Sequence, residues 1–237
     1  MKIDHVVQLV EDLGRAVIDW QGMGFTVSPG GVHADGHTHN ALVIFRDGSY
    51  IELIAFRTSS TSEHRWARYR GFWGPIDFAV AVPNLADHAV QLKARNLPYS
   101  DAYEGGRKRP DGIQLRWRGS FPTDETLGLP FFIEDVTDRA LRVPTQDENV
   151  LHSNGATGIA RVQVLVLNME VAADKFASVF GEGETLRDGV SFTLQGSTLS
   201  IAQPMTGSAD AQFIAKRGAG PVVMTIAAPV PVVIKHD

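Results

Sequence analysis

One short pattern occurs three times in this sequence, and it constrains the fold more than any other feature does. A strand-like run is followed by Asp or Asn and then by an amphipathic helix. The three runs are His5–Val10, Asp77–Val82 and Arg161–Val166. Each run begins with a polar or ionisable residue that stands seven positions before the expected helix cap. Because recurring supersecondary units indicate a fold built by repetition, we expect His5, Asp77 and Arg161 to occupy equivalent places.

The first copy predicts a β-α-β-β-β module over residues 1–57. Asp12 is a natural N-cap for a helix, and Gly24 can supply the left-handed residue that ends it. A short strand is expected at 25–27, a turn at Pro29–Gly31, and a hairpin over residues 41–54.

The later copies predict a second module over 75–137 and a third over 158–204, followed by a C-terminal extension over 205–237. Asn96 stands 72 residues after Gly24 and is expected to end the second helix in the same way. Residues 105–112 form a long predicted turn, and Gly220–Ile226 is either the first strand of a fourth unit or an edge strand. The polar segment 58–74 is predicted to be a linker that continues as a surface helix or an aromatic loop. The fold class is therefore α+β, with repeated β-α-β-β-β modules forming a curved mixed sheet around a central hollow.

Composition excludes several classes of function. The chain has 237 residues, no cysteine and a formal net charge of −5, so thiolate metal sites and a Cys nucleophile are excluded. The acidic balance gives no reason to expect binding to nucleic acid or to a membrane surface. The N-terminus lacks a signal-peptide pattern and no apolar run approaches the roughly 20 residues of a membrane helix, so a cytoplasmic location is expected.

Several motifs resemble the vicinal oxygen chelate superfamily, and within it the glyoxalase-like domain proteins. The motifs are Ile3–Val7 with Asp12-Leu13, Gly24-Phe25, Pro29–His33, Gly36–Leu42, Asp47–Leu53, Gly106-Arg107 through Asp111-Gly112, and Leu129–Phe132. The resemblance implies that two modules join side by side around an active-site hollow. A typical pattern in this superfamily is Gly-Thr-x-Asn, and the sequence departs from it because His37 follows Gly36 where Thr is usual.

The resemblance also implies a divalent metal, held by the first and last strands of each paired module. By register the ligands are His5 and Glu52 from one module and Asp77 and Glu134 from the other. A His or Gln is more usual at the position of Asp77, and a shift of one residue would place Phe78 there and leave three ligands. The metal is Mn, Zn, Ni or Fe, and the formal charge of −3 on three carboxylates favours a harder ion such as Mn. Alternatively one carboxylate, Glu134, acts as a general base.

Other polar residues near the expected hollow are candidates for substrate binding. Thr38 and Asn40 precede a strand that borders it, and His39 between them could act as an acid or base near neutral pH. His33, His37 and His39 lie in a Gly-rich stretch that favours a solvated loop over a zinc site. Arg107 or Arg109 could clamp a substrate carboxylate, although a solvated hairpin tip explains them equally well.

The sequence leaves three functions open. The first is a metal-dependent isomerase, lyase or dioxygenase that acts on a small oxygenated molecule. The second is a metal-free protein that binds or sequesters a small molecule, and the third is an assembly module, because an odd number of units leaves a sheet edge that could pair in a homodimer. The third unit offers Arg161 and, at the place of Glu52, Ser200, so a structural or dimer-forming role is expected. A nucleotide cofactor is not expected, because residues 105–112 lack the spacing of a phosphate-binding loop.

Overall fold

The computed structural model describes residues 1–58 and 64–236. The strands are β1 Lys2–Leu9, β2 Ser28–His33, β3 Thr38–Ile44, β4 Tyr50–Phe56, β5 Gly74–Ala81, β6 Tyr103–Lys108, β7 Gln114–Ser120, β8 Phe131–Asp135, β9 Gly158–Leu165, β10 Glu184–Leu186, β11 Gly189–Leu194, β12 Ser197–Ala202, β13 Gly220–Ala227 and β14 Val232–Lys235. The helices are α1 Leu13–Gly22, α2 Leu85–Ala94, α3 Arg139–Arg142, α4 Asp147–Val150, α5 Met169–Phe180 and α6 Ala209–Arg217, with a 3-10 turn at Ala67–Tyr69. No helix of the described chain has both the length and the apolar character needed to cross a membrane.

The first eight strands form a closed barrel in the order β1-β4-β3-β2-β6-β7-β8-β5. Within each half, the first and last strands pair in parallel, β1 with β4 and β5 with β8. The halves join where β1 runs antiparallel to β5 and where β2 runs antiparallel to β6. Two β-α-β-β-β units therefore curve into one mixed sheet around a hollow, which confirms the predicted fold class.

The repeated Asp or Asn begins the helix of each unit. Asp12, Asn84 and Asn168 all have extended backbones, and each side chain accepts the N–H of the residue three positions later. Such a cap stabilises a helix by about 1 kcal/mol, since it satisfies a donor that the helix leaves free. After α1 and α2 the chain turns through Gly24 and Asn96, which have φ of 87° and 51°.

A second sheet carries the third unit in the order β10-β11-β12-β9-β13-β14. Its parallel β9–β12 pair repeats β1–β4, and β13 runs antiparallel to β9 as β5 does to β1. Strand β13 thus takes the place of a fourth unit's first strand, and β14 rather than β13 lies at the sheet edge. This resolves the two alternatives that the sequence left for residues 220–226.

Strand alternation separates the barrel's interior from its outer core. Outward side chains such as Val6, Leu53 and Phe78 join the large core that includes Trp20 and Phe176 from the helices. Inward side chains form a smaller apolar cluster. That cluster consists of Val7, Leu9, Ile54, Trp66, Tyr69, Ile76, Ala79, Leu115, Trp117, Phe131 and Ile133.

The structure corrects three local predictions. The expected turn at Pro29–Gly31 is part of strand β2, and residues 25–27, where a short strand was expected, are not in a strand and lie before β2 begins at Ser28. The register of β2 shifts between Pro29 and Gly31, and a Cβ on Gly30 would lie 1.9 Å from Oδ1 of Asn40, so these glycines allow close strand contact. The first half of the long turn predicted over 105–112 belongs to strand β6, which extends to Lys108, and only residues 109–112 turn.

Of the two forms expected after the linker, the structure shows the aromatic loop, with a 3-10 turn at Ala67–Tyr69, and this loop packs into the barrel. Trp66 and Tyr69 are buried and belong to the inward-facing cluster. The prediction for this segment also covers residues 59–63, which lie outside the described residues.

Candidate active site

The barrel encloses a cavity of about 450 Å³, a volume typical of small-molecule sites. Its polar residues include His5, His33, Asn40, Glu52 and Arg107. Its aromatic wall consists of Tyr50, Trp66, Tyr103, Trp117, Phe121 and Phe131. The cavity therefore offers ionisable groups together with flat apolar surfaces.

Two imidazoles converge on one carboxylate in this cavity. Nε2 of His5 lies 3.6 Å from Oε2 of Glu52, and Nε2 of His33 lies 3.3 Å from Oε1. Nδ2 of Asn40 donates a 2.5 Å hydrogen bond to Oε1. These residues reach one point from strands β1, β2, β3 and β4, all in the first half of the barrel.

A β-bulge explains how Asp4 can support His5. Neighbouring residues of a regular strand point to opposite faces, but the β1–β5 register shifts between Ile3 and His5, which leaves Asp4 as the extra residue. Oδ1 of Asp4 then lies 2.7 Å from Nδ1 of His5. The ring of Tyr50 stacks on the His5 imidazole with centroids 4.5 Å apart. His5 is therefore fixed at both its edge and its face.

Arg142 links the two groups that hold His5. Its guanidinium donates to both carboxylate oxygens of Asp4, at 2.9 and 3.1 Å, and to the Tyr50 hydroxyl at 2.7 Å. It also pairs with Asp135, and Arg139 donates to Asp4. Arg142 is 3% exposed and Asp4 is 1% exposed, so this is a buried ion network behind His5.

The surroundings hold two carboxylates of the site in their charged form. Burial would raise the pKa of Asp4, but Arg142 and the hydrogen bond with His5 hold that pKa well below its usual value. Burial acts in the same direction on Glu52, but His33, His5 and Asn40 lower its pKa to about 2. Burial raises the pKa of Tyr50. At neutral pH the His5 imidazole thus lies between two carboxylates.

Asp77 lies beside the cavity and is already engaged by neighbouring residues. Its Oδ2 accepts the indole N–H of Trp66 at 2.9 Å and lies 3.1 Å from Nη2 of Arg65. Its Oδ1 accepts the backbone N–H of Phe78 at 2.9 Å. Asp77 is not among the side chains that line the cavity. Its contacts anchor the segment that carries Arg65 and Trp66.

Glu134 points away from the cavity. Phe131 and Ile133 line it, and alternation along β8 sends the side chain of Glu134 to the other face. There Oε2 accepts the backbone N–H of Leu85 at 3.1 Å, at the start of α2, where the helix dipole favours a negative charge. Ala79 pairs with Phe131 in the second unit as Val7 pairs with Glu52 in the first. Phe131 therefore takes the position that Glu52 has in the first unit.

The predicted substrate-binding residues divide into two groups. Thr38, Asn40 and Arg107 line the cavity, and the Arg107 guanidinium donates to the carbonyl oxygens of Gly30 and Arg142. His39 and Arg109 do not line it. Arg109 instead pairs with Asp111 at 2.7 Å and donates to the carbonyl oxygen of Leu141, and alternation places His39 on the outer face between Thr38 and Asn40.

The donors do not fit the four-ligand metal centre that the resemblance implies. His5 and Glu52 meet, but the carboxylate of Asp77 is bonded elsewhere and that of Glu134 lies outside the barrel. Within residues 1–58 and 64–236, no group of three or more His, Asp or Glu side chains is arranged to hold a metal ion. His33 approaches Glu52, but its contact at 3.3 Å and the bond from Asn40 already engage Oε1.

Sequence reasoning missed four residues that shape this site. His33 was assigned to a solvated loop, yet it ends strand β2 and contacts Glu52. Asp4 was part of a recognised motif, but only a bulge could bring it to His5. Arg65 and Arg142 come from segments without a recognisable repeat, and their approach to the barrel depends on tertiary packing.

Comparison with known proteins places the chain in a family. A family model described as a glyoxalase-like domain matches residues 3–180, and the protein belongs to this family. No curated protein matches.

Solved structures share the fold at low sequence identity. A hypothetical protein from Staphylococcus aureus is 15% identical with a TM-score of 0.71, and the alignment covers 86% of each chain. A triple mutant of 4-hydroxymandelate synthase from Streptomyces coelicolor is 14% identical with a TM-score of 0.55, over 94% of this chain and 70% of that one. These similarities show that the protein shares its fold with both structures, and the family match confirms the glyoxalase-like resemblance of the sequence motifs.

Proposed function

We propose that this protein is an enzyme of the isomerase or lyase type that transfers a proton on a small oxygenated molecule. The observation that carries the proposal is the His5 imidazole, held at its edge by Asp4 and on its face by Tyr50 while Nε2 faces Glu52 in the cavity. Such restraint is expected of a group that must meet a reacting atom in one orientation.

Asp4 determines which nitrogen of His5 accepts the proton. An ionised carboxylate can only accept hydrogen bonds, so Nδ1 of His5 carries the hydrogen in the 2.7 Å contact with Asp4. In the neutral ring Nε2 then has a free lone pair. The 3.6 Å distance from Nε2 to Glu52 is too long for a hydrogen bond. His5 is therefore available as the general base.

The proton transfer is balanced within the site. Nε2 of His5 takes a proton from a C–H next to a substrate carbonyl, and the electrons of that bond move to the carbonyl oxygen to form an enolate. The imidazolium is stabilised by Asp4 and Glu52, while the positive charge of Arg107 in the cavity wall stabilises the enolate oxygen. Return of the proton to the opposite face of the same carbon re-forms the carbonyl and completes an epimerisation, and loss of a leaving group from the next carbon, with its electron pair, completes an elimination.

This assignment moves the acid–base role from Glu134 and His39 to His5. Glu52, with a pKa of about 2, holds a proton too weakly to act as the base near neutral pH. The mechanism includes no metal step, because the donors do not fit the four-ligand set.

Solvent exchange tests the proposal without knowledge of the natural substrate. The protein is incubated in D2O with pyruvate, acetoacetate or phenylpyruvate, and loss of the C–H signal next to the carbonyl is followed by proton NMR. We expect exchange above the buffer rate for at least one compound and a decrease of about 100-fold or more in His5→Gln.

His39→Gln is the matched control, because His39 lies on β3 in the same half of the barrel but outside the cavity, and this variant should exchange at the wild-type rate. Exchange that is equal in wild type and His5→Gln would refute the assignment. Exchange at the buffer rate with all three compounds would count against proton transfer.

One observation favours a second function, that of a metal-free protein that binds a small molecule. Strand β8, which takes in the second half of the barrel the place that β4 has in the first, contributes only Phe131 and Ile133 to the cavity, and these two side chains can bind but cannot react. A thermal-shift screen separates the two functions, since a pure binder would be stabilised by compounds that show no exchange above the buffer rate.

A further inference from the structure

We propose that Arg65, stacked on Phe121, binds the carboxylate of a small aromatic acid whose other end reaches His5. The inference rests on the proposed function, because it names a substrate class for the same cavity. Two features carry it, the aromatic wall and an incompletely bonded guanidinium within that wall.

The aromatic wall connects His5 with Arg65. The Phe131 ring lies 5.4 Å from the His5 ring, edge to face, and 5.0 Å from the Phe121 ring. Tyr103 stacks on Phe121 at 4.7 Å. Rings at these separations pack well against another flat ring, so a planar organic body matches this surface better than a flexible or a strongly hydrated one.

Arg65 covers the far end of this wall. The Cζ atom of its guanidinium lies 3.2 Å from the centroid of the Phe121 ring, which is a cation–π contact. The side chain lines the cavity and is 25% exposed. Two aromatic rings therefore separate a cation from the general base.

The hydrogen bonds of this guanidinium are incomplete. Nη2 lies 3.1 Å from Asp77, but Nη1 is buried and has no hydrogen-bond partner among residues 1–58 and 64–236. The carboxylate of Asp77 is shared, because it also accepts hydrogen bonds from the indole N–H of Trp66 and the backbone N–H of Phe78. A buried donor without a partner is unfavourable, and the cost would be recovered if the guanidinium turned toward an oxygen of a bound ligand.

The charges at the two ends orient the ligand. Ionised Glu52 lies beside His5 and repels a ligand carboxylate from that end, while the terminal nitrogens of Arg107 already donate to the carbonyl oxygens of Gly30 and Arg142. A carboxylate is therefore favoured at Arg65, where a planar guanidinium can form charge-assisted bonds with it. The reacting carbonyl is then left near His5.

Binding measurements with matched ligands test this subsite. Phenylacetate and phenylacetamide have nearly the same shape and differ in charge, and their affinities are measured by calorimetry. We expect wild type to prefer the acid by about tenfold, and Arg65→Gln to bind the two compounds equally. Arg109→Gln removes an arginine that does not line the cavity, and it should keep the wild-type preference.

A second variant separates ligand binding from folding. Arg65→Gln leaves Asp77 without its cationic partner, so the double variant Arg65→Gln/Asp77→Asn replaces the ion pair by two neutral amides. Both variants should lose the preference for the acid. A preference for phenylacetate that persists in both, or that is absent in wild type, would overturn the proposal.

The two proposals can fail separately. If proton exchange depends on His5 while acid and amide bind equally to wild type, the carboxylate subsite is wrong and the enzyme assignment stands. If binding of the acid depends on Arg65 while exchange stays at the buffer rate, the subsite stands and the protein is a binding protein for aromatic acids.

Discussion

Asp4→Asn tests whether the buried network behind His5 stabilises the fold as well as the imidazole. Asn has nearly the shape of Asp but no charge. Arg142 would lose one of its two carboxylate partners, Asp4 and Asp135, while it remains buried. The imidazole of His5 would lose the carboxylate that fixes its Nδ1 hydrogen.

The expected loss of stability follows from the burial of these groups. Removing one partner of a buried ion pair costs about 3–5 kcal/mol, because a charge is left uncompensated. Since Asp135 stays bonded to Arg142 at 2.8 Å, we expect the lower limit, about 3 kcal/mol. Urea unfolding followed by tryptophan fluorescence measures the difference, provided that the slopes of the two transitions agree.

The difference should depend on pH in one direction. Folding lowers the pKa of Asp4 well below its usual value, so the ionised carboxylate stabilises the fold fully at pH values above the pKa that Asp4 has in the unfolded chain. This contribution is lost as the pH falls toward the folded pKa. Wild type and Asp4→Asn should therefore differ most near pH 7 and converge on acidification below about pH 4.

A tautomer measurement completes the test. Nitrogen-15 NMR of the histidine rings, with His5 assigned through His5→Gln, should show a hydrogen on Nδ1 in wild type and a mixture of tautomers in Asp4→Asn. A stability loss below about 1 kcal/mol, within the range of exposed ion pairs, or an unchanged tautomer would refute the reasoning. The double variant Asp4→Asn/Arg142→Met should recover part of the lost stability, because it removes the unpaired charge.

Two further predictions concern the residues first expected to bind a metal. Elemental analysis of untagged protein should show no stoichiometric Mn, Zn, Ni or Fe, because the expected donors do not form a four-ligand set. Near-stoichiometric metal in the wild type that is lost in both His5→Ala and Glu52→Ala would contradict this expectation. Asp77→Leu should destabilise the protein by about 3 kcal/mol, because it leaves the half-buried Arg65 cation without its carboxylate and the indole N–H of the buried Trp66 without its acceptor. Thermal or urea unfolding measures the loss. Glu134→Gln is the control, because Gln keeps an acceptor for the N–H of Leu85, and it should change stability by less than about 1 kcal/mol. Equal effects of the two substitutions would refute the anchoring role of Asp77.

The fold was predictable because its information is local and repeated. Each helix cap precedes an amphipathic run, and the same strand-like run recurs before each cap, so Asp12, Asn84 and Asn168 mark three equivalent units. The glycines of β2 and β6 misled the prediction, because glycine is common both in turns and where strands approach closely. Gly30 belongs to the second case, since the side chain of Asn40 occupies the space of a Cβ there.

The site was predictable only for the residues that come from a single β-α-β-β-β unit. His5 and Glu52 lie on neighbouring parallel strands, and register alone brings them together. In the second half, the alignment of the repeats predicted Glu134 at the position of Glu52, where the structure has Phe131. The two residues are an odd number of positions apart, and an odd shift along a strand moves a side chain to the opposite face. Asp4 and Arg142 are separated by 138 residues, so no local pattern reveals their contact.

The third unit shows that the shared frame does not itself supply chemistry. Its strand β9 has the same register shift, with Ala160 as the extra residue where β1 has Asp4. Arg161 then takes the place of His5 and donates to Ser200, which stands at the place of Glu52, at 3.0 and 3.1 Å. The first and third units therefore join their first and last strands in the same geometry. At the positions of Asp4, His5 and Glu52, however, the third unit has Ala160, Arg161 and Ser200, which supply neither a base nor a carboxylate that could hold one. Because sites rather than folds carry function, the Asp4, His5 and Glu52 side chains, and not the module that displays them, account for the proton transfer proposed for this protein.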